Sequence, residues 1–536
     1  MKTLFSSIFI CCIGLCGVWA QQLPLIPFPT EIISVGAGEF TLTSATKIVL
    51  RTNVAEVKKS CDFFLELINP STGLNIGYAA SSTSPIIVEL DATVSHPEGY
   101  SLKVTSKDVT IKAQTATGVF FALQTLRQLL PPEIESRSAV AGQTWKIPEV
   151  EINDAPRFAY RGLLLDVARH FYPVSDIKRY IDLMVLHKFN HLQLHLADDQ
   201  GWRIEIKQYP KLNSISSWRK ETLIGHLDNL PHKYDGIPHG GYYTQTELKE
   251  LVQYAADRHI TIVPEIDMPG HATAILAAYP EFACIDSTFE VAGYWGILPN
   301  VLCPREETFK FLENIMDEVM SIFPGKYIHI GGDECPREQW KRSEICNNLL
   351  KQNGYENYDQ LQTWFMRRMV QYLQSHGRQV IGWDEIIDGG TIDGATIMSW
   401  RGEQGGITAA QKGNNVIMTP HRYCYIDYYQ WRMRDEEPLA QGGYLPLSMV
   451  YQYDPVPKEL NDEQKKRILG SQGNLWTEYI SDFKYVEYMV YPRACAIAEI
   501  TWTPANKKSY NQFLIRLREY SKRLEILNVN FARHML

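Results

Sequence analysis

Acidic and aromatic side chains recur at one kind of position in this sequence, directly after short apolar runs. Eight such runs end in residues that can hydrogen-bond to a ligand or stack on it. They are Asp166 with Arg169 and His170, Asp198 with Asp199, Glu265 with Asp267 and His271, Asp333 with Glu334, Trp383 with Asp384 and Glu385, Trp400 with Arg401, Tyr425 with Asp427, and Trp476 with Glu478. Carboxylates bind hydroxyl groups in fixed directions and indole faces pack on sugar rings, so this set predicts a site for a neutral polyhydroxylated ligand.

The segment His329 to Glu334 contains two adjacent acids and indicates glycoside hydrolysis. A phosphate substrate would call for a glycine-rich anion nest with a cation, whereas Gly331 and Gly332 lead directly into Asp333 and Glu334. In an ordinary retaining glycosidase the nucleophile and the acid stand about 5–5.5 Å apart across the scissile bond, which sequence neighbours reach awkwardly. We therefore expect Glu334 to serve the leaving oxygen and Asp333 a nearby group of the same substrate.

From Tyr160 onward the pattern is strand, loop and helix, repeated. The predicted strands are Gly162 to Val167, His191 to Leu196, Thr261 to Ile266, Tyr327 to Ile330, Gln379 to Trp383, Thr396 to Trp400, Asn415 to Thr419 and Ile468 to Leu475. Runs this apolar, alternating with helices, imply strands covered on both faces and hence a parallel sheet. Eight in series predict a (β/α)8 barrel, a fold in which chemistry lies at the carboxyl ends of the strands.

The chain before the barrel divides into a leader and a small module. Residues 1–20 have a positive start, an apolar stretch and a small-residue cleavage site, which together predict a signal peptide. Residues 21–152 contain short alternating strands and one helical segment, which predicts an N-terminal α+β domain. Residues 153–536 are then the predicted catalytic barrel with a C-terminal helix.

The leader predicts export to a periplasmic or extracellular location. Lipid anchoring is disfavoured because Cys11, Cys12 and Cys16 all lack the preceding Gly or Ala that a lipobox normally carries. No later segment has the roughly twenty apolar residues that a transmembrane helix needs. Of the ten cysteines, seven lie beyond the leader, and Cys284 with Cys303 is the best candidate for a disulfide.

Composition bounds the function classes. The 536 residues are 45% hydrophobic and 21% charged, which is typical of a globular protein. The formal net charge of -8 and the absence of a basic run argue against a nucleic-acid partner. No CxxC pair suggests a zinc site, and we expect neither a metal nor another cofactor. Oligomeric state stays open.

Five motifs in order give the chain a resemblance to glycoside hydrolase family 20, the β-N-acetylhexosaminidases. They are Arg161-Gly-Leu-Leu-Leu-Asp166-Val-Ala-Arg169-His170, His195-Leu-Ala-Asp198-Asp199-Gln-Gly-Trp202, Pro264-Glu265-Ile-Asp267-Met-Pro-Gly-His271, His329 to Glu334, and Gly382-Trp383-Asp384-Glu385. The resemblance extends from about residue 24 to about residue 525. It implies that the N-terminal module is the accessory α+β domain of that family.

The resemblance also implies a mechanism in which the 2-acetamido group of the substrate replaces an enzyme nucleophile. Glu334 would be the general acid and then the base that activates water against an oxazolinium intermediate. Asp333 would orient the acetamido N–H and stabilise its developing positive charge. Tyr425 would hydrogen-bond the acetamido carbonyl oxygen and aim it at the anomeric carbon.

The same resemblance implies a set of binding residues. Trp383, Trp400 and Trp476 would be aromatic walls, and Asp198 and His271 would support the acid. The ligands of the ring hydroxyls would be Arg161, Asp427 and Glu478.

The expected activity is release of terminal GlcNAc or GalNAc from an oligosaccharide or glycoconjugate. The alternatives are a non-catalytic carbohydrate-binding protein on the same scaffold, and a relative that releases disaccharides or prefers sulfated sugars. The preference between GlcNAc and GalNAc, the linkage and the natural glycan stay open.

Overall fold

The computed structural model describes residues 23–536, so the predicted leader lies outside the described residues. The described chain divides into two compact units, and each is presented separately. The first contains residues 23–157, 185–188 and 498–536, and the second contains residues 158–184 and 189–497. The sequence-based division placed the C-terminal helix with the barrel, whereas residues 498–536 group with the first unit.

The first unit contains a seven-stranded mixed sheet with the strand order β1-β7-β5-β6-β4-β2-β3. Its strands are β1 (Glu31–Thr41), β2 (Thr46–Leu50), β3 (Gly77–Tyr78), β4 (Ser84–Leu90), β5 (Tyr100–Val104), β6 (Val109–Ala113) and β7 (Lys146–Asp154). Helices α1 (Ala55–Thr72) and α2 (Ala116–Leu129) belong to the same unit. In β6 every second residue is buried, as expected for a strand with one face on the core.

The second unit is built on a closed barrel of eight strands, and every neighbouring pair in it is parallel. The strands are β8 (Tyr160–Asp166), β9 (His191–His195), β10 (Thr261–Glu265), β11 (Tyr327–His329), β12 (Gln379–Trp383), β13 (Thr396–Ser399), β14 (Asn415–Met418) and β15 (Ile468–Leu475). All seven residues of β8 are buried, because helices and barrel interior cover both of its faces. The predicted (β/α)8 fold with a preceding α+β domain is confirmed.

Helices follow the barrel strands and complete the chain. They are α3 (Val174–Leu186), α4 (Lys211–Ser214), α5 (Gln245–Ala256), α6 (Thr273–Ala278), α7 (Glu306–Ile322), α8 (Glu338–Arg342), α9 (Glu344–Asn353), α10 (Tyr358–Ser375), α11 (Gln404–Gln411), α12 (His421–Cys424), α13 (Leu447–Gln452), α14 (Asp462–Lys465), α15 (Phe483–Val490), α16 (Arg493–Trp502) and α17 (Tyr510–Ile526). Thr244 and Glu247 have the three-residue spacing that predicts a capping box, and such a box begins α5 with both reciprocal hydrogen bonds present.

The loops of the second unit contain several short strands. Two-residue strands occur at Ala197–Asp198, Gly201–Trp202, Trp218–Arg219, Leu223–Ile224, Lys233–Tyr234, His239–Gly240 and Tyr428–Tyr429, and a four-residue strand at Gln441–Tyr444. The disulfide between Cys284 and Cys303 is confirmed and closes the loop after β10, with the two Cα atoms 4.7 Å apart. Within residues 23–536, no helix combines the length and apolarity that crossing a membrane requires.

Candidate active site

A tight turn after β11 places the two adjacent acids at the carboxyl end of the barrel. Gly331 and Gly332 have φ values of 62° and 98°, which favour glycine. A Cβ atom at Gly331 would lie 1.7 Å from Oδ1 of Asp267, so no larger residue fits there. Glu334 itself has a φ of 44°, an uncommon conformation for a residue with a side chain. Strain of this kind is concentrated at functional sites.

His271 joins the two acids to a second strand end. Its Nε2 lies 3.5 Å from Oε2 of Glu334 and 3.8 Å from Oδ2 of Asp333. On the other side, its Nδ1 lies 3.3 Å from Oδ1 of Asp198 and 3.1 Å from Oδ2 of Asp199. Burial alone would lower the pKa of His271, but Asp198, Asp199 and Glu334 raise it well above its usual value. A protonated imidazole therefore stands between two pairs of carboxylates.

Asp198 is held in its charged form beneath this histidine. Arg169 Nη2 lies 2.8 Å from its Oδ2, and His195 Nε2 lies 2.9 Å from the same oxygen. Burial would raise the pKa of Asp198, but Arg169 and His271 hold it well below its usual range. The carboxylate that orients His271 is thus ionised and immobilised by cations.

Asp333 is in the opposite situation, because its nearest charged neighbours are mostly acids. Burial raises the pKa of the Asp333 carboxyl well above its usual range, and Asp267 and Glu334 raise it further. Asp267 is itself buried, and its pKa is raised to about 7. Oδ1 of Asp333 is buried and accepts no hydrogen bond from the described part of the chain. A buried acid without a donor is costly, so this oxygen fits a ligand that brings an N–H group or a positive charge.

Four aromatic residues from four strand ends meet above the barrel, and we call them the aromatic wall: Trp383, Trp400, Tyr425 and Trp476. The rings of Trp400 and Tyr425 are nearly parallel with centroids 5.9 Å apart. Trp476 lies 5.9 Å from Trp383 and 6.3 Å from Tyr425. The indole N–H of Trp383 donates to Glu265 at 2.9 Å, and that of Trp400 donates to Glu385 at 2.9 Å. Hydrogen bonds to buried or half-buried acids thus fix both indoles.

Two further acids, Asp427 and Glu478, carry buried oxygens that accept no hydrogen bond within residues 23–536. Asp427 is only 2% exposed, and both of its carboxylate oxygens lack a donor. Oε2 of Glu478 also lacks one. Burial raises the pKa of both carboxyls, and Glu478 adds to the effect on Asp427. Unpartnered acceptors of this kind fit hydroxyl donors of a ligand.

Arg161 is not part of this site, which corrects the assignment made from the sequence. It is the second residue of β8, and its Nη1 donates to the carbonyl of Phe158 at the entry to that strand. The site lies at the other end, beyond Asp166, and five strand residues span roughly 16 Å. Arg169, three residues after Asp166, occupies the rim instead, with its guanidinium 5.2 Å from the ring of Trp476.

The other predicted residues come together as expected from their positions at strand ends. These are Asp198, His271, Asp333, Glu334, Trp383, Trp400, Tyr425, Asp427, Trp476 and Glu478. The sequence placed Arg169, Glu265 and Glu385 among the polar residues that end the apolar runs, but gave none of them a role in catalysis or substrate binding. Within this site, two triplets offer ligand atoms that lie within 4.8 Å of one another, as a cation site would. They are Asp198 with Asp267 and His271, and His271 with Asp333 and Glu334.

Comparison with known proteins places this site in a family. The model of the glycosyl hydrolase family 20 catalytic domain matches residues 158–505, and the model of family 20 domain 2 matches residues 22–155. A beta-hexosaminidase of Porphyromonas gingivalis is 40% identical over 549 residues, covering 99% of this chain and 68% of the relative. A beta-hexosaminidase of Akkermansia muciniphila is 35% identical, covering 82% of this chain and 86% of the relative.

Solved structures agree with the sequence relatives. The family 20 beta-N-acetylhexosaminidase of Streptomyces coelicolor superimposes with a TM-score of 0.83 at 30% identity, covering 96% of this chain and 98% of that chain. The N-acetyl-beta-hexosaminidase of Streptomyces plicatus, solved with Thio-NAglucal, gives a TM-score of 0.81 at 31% identity, covering 96% and 97%. The chain therefore belongs to glycosyl hydrolase family 20 and is a glycoside hydrolase with hexosaminidase activity.

Proposed function

We propose that this protein is an exo-acting β-N-acetylhexosaminidase that releases terminal GlcNAc or GalNAc with retention, by substrate-assisted catalysis through an oxazolinium intermediate. One observation carries the proposal. Asp333 and Glu334 are adjacent, both contact His271, and Asp333 keeps a buried oxygen to which no group of residues 23–536 donates. Such a pair is poorly arranged to attack and to protonate across one bond, but it suits a substrate that supplies its own nucleophile.

Glu334 acts as acid and then as base. In the first step the acetamido carbonyl oxygen attacks the anomeric carbon, the glycosidic C–O bond breaks, and Glu334 donates its proton to the leaving oxygen. In the second step Glu334 takes a proton from water, which attacks the anomeric carbon and opens the oxazolinium ring. Two inversions give net retention. His271, 3.5 Å away and anchored by ionised Asp198, orients the carboxyl throughout.

Asp333 and Tyr425 act on the acetamido group. The unpartnered carboxylate oxygen of Asp333 accepts the acetamido N–H, and the positive charge that develops on nitrogen offsets the repulsion from Asp267 and Glu334. Burial and the neighbouring Asp333 raise the pKa of Tyr425 well above its usual value. Its hydroxyl therefore stays protonated and donates to the acetamido oxygen, which aims that oxygen at the anomeric carbon.

The remaining rim residues bind the sugar. The indoles of the aromatic wall pack against the pyranose ring and the acetamido methyl. Asp427 and Glu478 accept hydrogen bonds from ring hydroxyls, and Arg169 takes the place first assigned to Arg161. No cofactor or metal enters the scheme, since Glu334 makes both proton transfers and His271 orients it.

The test is hydrolysis of p-nitrophenyl β-glycosides of GlcNAc and GalNAc by the wild type and by Glu334→Gln. We expect the wild type to turn over, the variant to lose at least about 100-fold in kcat, and proton NMR to detect the β-anomer first. Binding of GlcNAc without any turnover would favour the carbohydrate-binding alternative. Turnover only of disaccharide glycosides would favour a disaccharide-releasing relative, and an α-anomer as first product would eliminate the mechanism.

We also propose that the protein is exported after removal of residues 1–20. The leader pattern in the sequence supports this, as does the Cys284–Cys303 disulfide, a bond typical of oxidising compartments. Cell fractionation followed by N-terminal sequencing would give Gln21 as the first residue of the mature protein. Full-length protein retained in the cytoplasm would overturn the proposal.

A further inference from the structure

Glu265 lies beneath the aromatic wall, fully buried at the end of β10. Its Oε1 accepts the indole N–H of Trp383 at 2.9 Å, and its Oε2 accepts the side-chain N–H of Gln193 at 2.8 Å. His195 Nδ1 lies 2.8 Å from the same Oε2, and His329 Nδ1 lies 3.1 Å from Oε1. One carboxylate thus contacts side chains from β9, β11 and β12, the three strands that surround this part of the rim.

His195 carries the contact onward to the support of the catalytic acid. Its second nitrogen lies 2.9 Å from Oδ2 of Asp198, so both ring nitrogens face carboxylates. A positive charge on the ring between these two carboxylates favours the imidazolium, although the contact of Nδ1 with Glu265 is an ion pair without the alignment of a hydrogen bond. The ring also packs edge-on against Trp476, with centroids 5.0 Å apart.

These contacts form one continuous chain. It runs from Trp383 through Glu265, His195, Asp198 and His271 to Glu334, and each link is a hydrogen bond or an ion pair of 3.5 Å or less. Acids and imidazoles alternate along the chain, so each buried charge has an opposite charge beside it. The aromatic wall and the general acid are consequently held by the same chain of acids and imidazoles, which we call the ionic core.

We propose that Glu265 is a positioning residue for the reaction, holding the Trp383 indole in place and, through the His195 imidazolium, fixing Asp198 beneath the His271–Glu334 pair. The inference rests on the proposed function, since it assumes that Trp383 touches substrate and that Glu334 transfers the proton. Glu265 itself contacts no reacting atom. It keeps Trp383 and Glu334 in a fixed arrangement, because both groups must act on one sugar at once.

The charge states fit this role. Burial would raise the pKa of Glu265, but His329 and His195 hold it well below its usual range. Burial would lower the pKa of His195, but Glu265 and Asp198 raise it well above. Asp267 also faces Glu265 electrostatically, and Arg169 stands on the far side of Asp198. Removing the charge of Glu265 leaves His195 with one carboxylate instead of two, so its proton is lost at lower pH.

The test compares Glu265→Gln with the matched control Glu487→Gln. Glu487 is equally buried and pairs with Arg179 at 3.0 Å and Lys484 at 2.9 Å, but it lies on α15 outside the site. Glutamine at 265 still accepts from Trp383, while its amide donates to a now neutral His195. For Glu265→Gln we expect kcat on p-nitrophenyl-GlcNAc to fall roughly 100-fold and the basic limb of the kcat/KM profile to move to lower pH. Glu487→Gln should keep the wild-type kcat and profile.

Glu265→Asp completes the design, because it keeps the carboxylate charge on a side chain that is one methylene shorter. It should retain the pH profile of the wild type with a smaller loss of kcat, and it replaces Glu265→Gln if the latter does not fold, with Glu487→Asp as its control. Melting temperatures of all variants separate loss of fold from loss of turnover. If Glu265→Gln kept the kcat and pH profile of Glu487→Gln, the inference would be overturned. A wild type inactive on every glycoside would instead defeat the proposed function.

Discussion

Glu135 in the first unit and two rim acids of the barrel unit show opposite consequences of burying a carboxyl group. In the first unit, Glu135 lies between Arg127 and Arg523, with nitrogen–oxygen distances of 3.0 Å to each. Although burial would raise it, the pKa of Glu135 is lowered by these two guanidinium groups. In the barrel unit, Asp333 and Asp427 keep buried oxygens without donors, and their pKa values are raised. A carboxyl group with cationic partners is fixed in place, whereas these two rim acids are ready for a ligand.

Lys188 extends the same contrast to a buried cation. Its Nζ lies 3.0 Å from Oδ2 of Asp154 and donates to the hydroxyl of Tyr100 at 2.8 Å. The ring of Trp502 packs at 4.4 Å from the same ammonium. Every one of these groups belongs to the first unit. The charge of Lys188 is thus satisfied by its own neighbours, which is what a structural role requires.

The largest expected effect follows from removing charge at the rim. Asp333→Asn should lower kcat on p-nitrophenyl-GlcNAc by roughly 1000-fold, because a neutral amide no longer stabilises the positive acetamido nitrogen. The melting temperature should stay at or above that of the wild type, since the variant removes a carboxylate repelled by Asp267 and Glu334. Calorimetry beside the kinetic assay checks both. A clear loss of stability would mean that Asp333 has a structural partner after all.

The matching change in the first unit should act on stability alone. Glu135→Gln leaves Arg127 and Arg523 buried without their counter-charge, which costs about 3–5 kcal/mol in the free energy of unfolding. Because Glu135 has no part in the chemistry, kcat per folded molecule should equal that of the wild type. Denaturant unfolding followed by active-site titration measures the two quantities. An unchanged midpoint would show that the paired acid contributes nothing net.

Sequence patterns predicted most of this architecture because burial and strand periodicity leave direct traces. The eight apolar runs, the Thr244–Glu247 capping box and the Cys284–Cys303 pairing all depend on local spacing. Arg161 was misassigned because its role came from the family resemblance alone, whereas it begins β8 and the rim lies beyond Asp166. Arg169, already among the rim residues, follows the carboxyl end of β8, where functional residues of a barrel lie, whereas Arg161 does not.

The ionic core below the rim could not be predicted in the same way. The apolar runs place His195 and Glu265 near the ends of their predicted strands, but they do not show which inward side chains meet. Their partnership depends on the barrel register, in which Glu265 pairs with His195 of one neighbour and His329 of the other. The grouping of residues 498–536 with the first unit likewise depends on contacts between distant parts of the sequence.

The pH dependence of folding stability should have opposite signs for Glu135 and for Asp267. The lowered pKa of Glu135 gives a stabilisation present above its unfolded value near ~4.3 and lost as pH falls through the folded value. Asp267 has the opposite sign: with a folded pKa of about 7, its proton favours the folded state below ~3.9, and this stabilisation is lost as pH rises toward 7.

Thermal unfolding of two variants over a range of pH measures how folding stability changes with pH. The stability deficit of Glu135→Gln relative to the wild type should shrink in strong acid. Asp267→Asn, which still accepts the Gly332 N–H now received by Asp267 Oδ1 at 2.9 Å, should match the wild type near pH 4 and exceed it above pH 7. Parallel curves for both variants would contradict the distinction between the units.

The smallest expected effect concerns a single hydroxyl contact. Asp427→Asn keeps the shape of the side chain but replaces one acceptor oxygen by an amide, so one sugar hydroxyl loses its charged partner. The cost of one such bond is about 1.5 kcal/mol, which raises KM roughly 10-fold while kcat changes little. The melting temperature should rise, because a buried and unpartnered carboxylate is removed. Comparing GlcNAc and GalNAc glycosides would reveal which hydroxyl Asp427 meets, since a loss confined to one sugar assigns it to the position where the two differ. An equal loss with both would place Asp427 on a hydroxyl that they share, and no change in KM would remove it from the binding site.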